Sequence, residues 1–129
     1  MPFSGINSGY PCHFPNKRIN PVKPTPKVIQ ADANGKEYIQ LLGGPPESVT
    51  MRSGKVVLQP GKTVGKHSTE GNEELLVLLA GEGVFLLSHG QQMELSAGKV
   101  LYCPPDTEHD VKNTGSTPLE YIYVVAKTG

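Results

Sequence analysis

From residue 28 to the end, the chain is a succession of short apolar or alternating runs, each interrupted within a few residues by glycine, proline, asparagine or serine. No stretch sustains the three-to-four-residue spacing of apolar side chains that an amphipathic helix needs, whereas short runs bounded by turn residues are the pattern of strands. Strands are expected over residues 28–33, 36–42, 48–51, 55–59, 74–80, 84–88, 92–95, 100–103, 110–112 and 119–126. Between the first two lies Asn34-Gly35, a hairpin signal because both positions tolerate positive φ. Gly43-Gly44-Pro45-Pro46 then breaks the chain. Further turns are expected at Pro60-Gly61, Gly81 to Gly83, His89-Gly90, Ala97-Gly98, Pro104-Pro105 and Thr114 to Ser116. Evenly spaced short strands without intervening helices predict an all-β domain, a sandwich or barrel.

The 129 residues are close to the usual size of one domain with its own core, here assigned to 28–129. Residues 1–27 differ in character. Pro2, Pro11, Pro15, Pro21, Pro24 and Pro26 exclude a long helix or a central strand there, because each removes a backbone donor and fixes its φ. Phe3, Ile6, Tyr10, Phe14, Ile19 and Val22 argue against a purely solvated tail. An extended proline-rich N-terminal arm laid on a surface is expected, either on this chain or on a second subunit. Leu75 to Ala80 is apolar at every position, so both faces of that strand are expected to be covered.

Twelve basic and twelve acidic side chains cancel, which leaves no electrostatic footprint for nucleic acid and no polybasic stretch for an anionic membrane. A small molecule or a protein is the expected partner. The N-terminus has neither a basic start nor a continuous apolar core, and no segment approaches the length of a membrane-spanning helix. A soluble, cytoplasmic protein is expected. Cys12 and Cys103 form no Cys-x-x-Cys pair, so neither a zinc ribbon nor a redox dithiol is indicated.

Two long blocks carry the chemistry. In the first, Gly61, His67, Glu74 and Gly81 fall on the pattern G(X)5HXH(X)3,4E(X)6G, with Thr69 at the second histidine. In the second, Gly98, Pro104, His109 and Asn113 fall on G(X)5PXG(X)2H(X)3N, with Asp106 at the middle glycine. Together they resemble the paired signatures of the cupin superfamily, over about the C-terminal two thirds of the chain. The resemblance implies a double-stranded β-helix, a small jelly-roll barrel. It also implies one divalent metal ion held by His67, Glu74 and His109, and a homodimer. Two imidazoles and a carboxylate suit iron, manganese, nickel or zinc and leave coordination positions open.

Thr69 is a poor metal ligand beside imidazole. It is expected to line the vacated coordination face, where its hydroxyl contacts water or ligand, while the same replacement also fits a cupin that has abandoned its metal. Glu73 competes with Glu74 for the ligand position, and the spacing to Gly81 favours Glu74. Side-chain alternation would then turn Glu73 outward. Glu70 is expected in a solvated loop. Asp106 is expected to keep the turn, since aspartate visits the left-handed region. Asn113 is read as a turn or hydrogen-bonding residue. Cys103 is read as inert core, Tyr102, Tyr121 and Tyr123 as core or cavity wall, and His89 as a surface turn residue.

Three functions fit these features. The first is an enzyme using its metal for oxygenation, isomerisation, epimerisation or elimination on a small polar organic molecule. The second is a non-catalytic binder of a small ligand such as a sugar or organic acid. The third is a metal-free structural cupin. The enzyme is slightly favoured, and no general base is distinguished by spacing.

Overall fold

The computed structural model describes residues 23–129, and residues 1–22 of the expected arm, with Cys12, lie outside them. Nine strands form: β1 (Tyr38–Gly43), β2 (Arg52–Leu58), β3 (His67–Ser68), β4 (Asn72–Ala80), β5 (Glu82–Leu87), β6 (Gln92–Ser96), β7 (Val100–Cys103), β8 (Glu108–Asn113) and β9 (Leu119–Lys127). The only helical element among the described residues is one 3-10 turn at Ser88–Gly90. One sheet has the order β1-β2-β9-β4-β7 and the other β3-β8-β5-β6, with every pairing antiparallel. Strands consecutive in sequence repeatedly fall in opposite sheets, as in a jelly-roll barrel, so the expected all-β double-stranded β-helix is the observed fold.

Alternation along the strands builds the interior. In β4, Leu76 and Leu78 are buried while Leu75 and Leu79 are exposed. In β7, Leu101 and Cys103 face in while Val100 and Tyr102 face out. The inward side chains join Phe85, Leu95, Val111, Leu119 and Tyr121 in one core between the sheets. Each fully buried Leu or Phe contributes about 1.5–3 kcal/mol relative to exposure. Asn113 closes this core at one end. Its Nδ2 donates to the carbonyls of Leu58 and Thr117, both at 2.8 Å, and its Oδ1 accepts from the Gly115 amide at 2.8 Å.

Cross-strand register sets the height of the site in the barrel. Glu74 pairs with Cys103 on one side and with Val125 on the other, and Val125 pairs in turn with Arg52. In the smaller sheet His67 pairs with His109, and His109 with Leu87. Gly81 ends β4 at φ 85, where an added Cβ would collide with the Pro118 carbonyl, so this signature glycine is required by backbone approach.

Several expectations are corrected. Asn34 and Gly35 do form a tight turn at φ 50 and 82, with the Lys36 amide bonded to the Ala33 carbonyl at 2.9 Å. Yet residues 28–33 form no strand and Val28 is 99% exposed, so no hairpin results. That run carries only two large apolar residues and follows Pro24 and Pro26, which supply no amide donors. Residues 48–51 also form no strand. The Ser48 amide bonds back to Gly44 and its hydroxyl to the Met51 carbonyl, so local turn bonds replace a ladder. Strand β3 was not anticipated, because two residues are too short to leave a periodic signal. Tyr102 lies in neither the core nor the wall of the cavity between the sheets: it pairs with Leu75 on the outer face and is 56% exposed. On the outer face of β4, Leu75 and Leu79 are exposed among the described residues, and the arm before residue 23, one of the covers expected there, lies outside them.

Candidate metal centre

His67, Glu74 and His109 come from three strands and both sheets, and one nitrogen or carboxylate oxygen of each lies within 4.8 Å of the others. The direct pairing of β3 with β8 sets the two imidazoles side by side, ring centroids 4.3 Å apart at 62°. Glu74 reaches across from the larger sheet, its Oε1 3.3 Å from His109 Nε2.

Backbone carbonyls orient both rings. His67 Nδ1 lies 2.7 Å from the Gly65 carbonyl and His109 Nδ1 lies 2.9 Å from the Thr107 carbonyl. A carbonyl only accepts, so each Nδ1 carries a proton, and in the neutral ring each Nε2 keeps its lone pair. This is the arrangement by which metal-binding histidines are commonly held. One nitrogen of each ring and a carboxylate oxygen therefore lie within a span small enough for side-chain rotation to bring three donors onto one ion. The donor set fits a divalent metal.

His109 is buried, with Phe85 stacked on its ring at 4.9 Å and 17°. Burial alone lowers the affinity of an imidazole for its proton. Here the hydrogen bonds to Glu74 and to the Thr107 carbonyl, with the charges of Glu74 and Asp110, more than offset that and raise the pKa above its ordinary value. Cys103 is fully buried with Sγ 3.9 Å from His109 Nδ1. Burial, reinforced by the charge of Glu74, pushes its thiol up to about 11, so it stays a protonated, unreactive group.

Thr69 lines the cavity, and its hydroxyl is engaged by protein. Oγ1 donates to the Pro104 carbonyl at 2.7 Å and accepts from the Thr107 amide at 3.1 Å, while the Thr69 amide donates to the Thr107 carbonyl at 3.2 Å. That carbonyl is the one that orients His109. Thr69 thus ties the first signature block to the turn of the second. Asp106 holds the left-handed conformation in that turn, φ 53, as the sequence predicts. Glu73 turns outward and accepts from the Tyr102 hydroxyl at 2.9 Å, while Glu70 and His89 are exposed.

The three residues open into a cavity of about 360 Å3 between the sheets. Val56, Leu76, Val111 and Val125 give it apolar walls, and Tyr121, Tyr123 and Arg52 supply polar groups. Arg52 is the one lysine or arginine in that lining. Sequence spacing did not find it, since nothing in the signatures points to β2. Its cross-strand pairing with Val125, level with Glu74, is visible only in the fold.

A jelly-roll barrel with two histidines and a glutamate converging on an internal cavity defines a small barrel protein with a candidate metal centre. The cupin-domain family model matches residues 54–125, and the chain belongs to that family. Among relatives, the oxalate-binding protein of Thermotoga maritima is 38% identical over 71 residues, which is 55% of this chain and 58% of that protein. The chain thus matches less than two thirds of the length of this curated relative. Among solved structures, an RmlC-like cupin with a double-stranded β-helix fold from Methanocaldococcus jannaschii superimposes with a TM-score of 0.66 at 21% identity, covering 79% of this chain and 91% of that one. A predicted oxalate decarboxylase from Thermotoga maritima gives a TM-score of 0.59 at 24% identity, covering 78% and 99%. These two likenesses bear on the fold. No helix among the described residues is long and apolar enough to cross a membrane.

Proposed function

We propose that this cupin binds one divalent metal ion through His67, Glu74 and His109 and takes a small organic acid into the adjoining cavity. The observation that carries this reading is that the Gly65 and Thr107 carbonyls engage Nδ1 of both imidazoles and so leave both Nε2 atoms free for a metal, in a group where one ligand atom each of His67, Glu74 and His109 lies within 4.8 Å of the others. The metal, of the iron, manganese, nickel or zinc type, would supply Lewis acidity at coordination positions that three protein ligands leave open.

An acid is favoured among small polar ligands by Arg52, whose guanidinium can pair with a carboxylate, and by the name of the oxalate-binding relative. The protein's own residues then have separable tasks: Arg52 attracts the anion, the valines and Leu76 exclude water, and Thr69 braces the Thr107 carbonyl behind His109. Isothermal titration of metal-loaded and metal-free protein with oxalate tests the reading. Saturable binding that requires metal supports it, and equal binding with and without metal contradicts it.

Catalysis at the same centre is a second reading. A metal beside a bound carboxylate is suited to elimination or oxygenation, and product formation from a bound acid is its test. A second copy of this chain is the proposed cover for the outer face of the larger sheet, where Leu75, Leu79, Val100 and Tyr102 are exposed together.

A further inference from the structure

Strand β9 carries Tyr121 and Tyr123 two residues apart, so both project from the same face of the sheet, and both line the cavity. Tyr121 is 4% exposed, yet among the described residues its hydroxyl has no hydrogen-bond partner. Buried hydroxyls in folded proteins are almost always paired. Because Tyr121 lines the cavity, a group bound there can supply that partner.

Tyr123 is held differently. Its hydroxyl lies 2.7 Å from that of Tyr38, and the two rings stack with centroids 6.4 Å apart at 15°. Tyr38 sits on β1 opposite Val56, so to reach Tyr123 on β9 it crosses the intervening strand β2 at Gly54. A Cβ at Gly54 would lie 2.7 Å from Tyr38 Cε1 and 2.8 Å from Tyr123 Cε2. The glycine is thus the residue that lets the pair close. If Tyr38 donates to Tyr123, the Tyr123 proton is free to point into the cavity, which is the arrangement an anionic ligand selects. Burial pushes both cavity phenols well above their ordinary pKa, so they remain neutral donors at physiological pH.

The geometry points to Tyr121 and Tyr123 as the residues that select the ligand, two neutral O–H donors for the oxygens of a small carboxylic acid, with Tyr38 as the residue that positions Tyr123 across Gly54. The inference rests on the reading that the cavity accepts an acid beside the metal. It adds that the acid is recognised by hydrogen bonds from β9 as well as by the metal and Arg52.

The test is calorimetric titration of manganese-loaded protein with oxalate, with metal content measured before and after. Tyr121→Phe is expected to weaken oxalate roughly tenfold, the effect of one hydrogen bond to a charged group. Its metal content should be unchanged, and its ligand-free melting temperature equal to or above that of the wild type, because an unpaired buried hydroxyl is removed. Tyr123→Phe is expected to weaken binding by a similar factor. Tyr38→Phe should weaken it about threefold alone and not at all in the Tyr123→Phe background, a dependence that a purely structural role would not show. Wild-type affinity in both Tyr121→Phe and Tyr123→Phe would overturn the inference while leaving the acid-binding reading intact. Wild-type protein that takes up manganese but no oxalate would overturn that reading and this inference with it.

Discussion

His67 and His109 are direct partners in an antiparallel strand pair, and each ring is held at Nδ1 by a main-chain carbonyl, 2.7 Å away for His67 and 2.9 Å for His109. Two side chains 42 positions apart in sequence are thereby fixed as a unit by the ladder itself, with His109 Nε2 3.3 Å from Glu74 Oε1. A change that spares the histidines but disturbs the backbone carbonyls behind them should act on the centre as a ligand substitution does, only more weakly.

Thr69→Val is such a change. It keeps the volume and removes an Oγ1 that donates to Pro104 and accepts from Thr107, leaving both main-chain groups without that partner. The expected cost is about 1–3 kcal/mol of stability. Thermal unfolding should report it as a lower melting temperature, and metal titration as weaker affinity, since the Thr107 carbonyl that orients His109 is loosened.

Two signature positions of the second block should differ sharply in their sensitivity to substitution. Asn113→Ala removes three hydrogen bonds from a fully buried side chain and should destabilise by several kcal/mol, on the order of 3. Asp106→Gly restores the glycine of the signature at a residue already at φ 53, and should change stability by less than about 1 kcal/mol. Denaturant unfolding of the two variants gives the comparison.

Metal-free and metal-loaded protein should respond to pH in opposite directions. The pKa of His109 is raised in the folded state, so its pairing with Glu74 stabilises the metal-free protein fully below the unfolded value of about 6.5. That contribution is lost as pH rises through the folded value. Metal requires the unprotonated ring, so apparent metal affinity should instead climb over the same interval. Melting curves with chelator and with saturating metal, taken from pH 5 to pH 8, should diverge as pH increases.

A charge on the open face of β4 tests the proposed dimer. Leu75→Glu or Leu79→Glu places a carboxylate among exposed apolar residues and touches no side chain of the cavity. Sedimentation velocity should show a wild-type dimer converted to monomer, with metal content retained. A wild-type monomer at all concentrations would dismiss the dimer.

The barrel could be read from the sequence because its strands alternate and its turns are marked by glycine, proline and asparagine. Residues 28–33 and 48–51 show the limit of that reading. Each starts or alternates as a strand would, but few apolar residues and prolines upstream of one, and local serine bonds in the other, direct the backbone elsewhere. The spacing of the two blocks singled out His67, Glu74 and His109, and alternation correctly turned Glu73 outward. Arg52, Tyr38 and the role of Gly54 were illegible, since each depends on which strands become neighbours. Neighbour order in a jelly roll leaves no local trace. Thr69 was noticed as a missing histidine, but its bracing bonds depend on a turn 35 residues away in sequence.

Metal content is the most direct test of the centre. Protein purified without chelators or added metal should carry about one equivalent of iron, manganese, nickel or zinc by inductively coupled plasma mass spectrometry, and the His67→Ala/His109→Ala variant should carry essentially none. Wild-type protein that stays metal-free even after reconstitution, or a double variant that retains a full equivalent, would contradict the account.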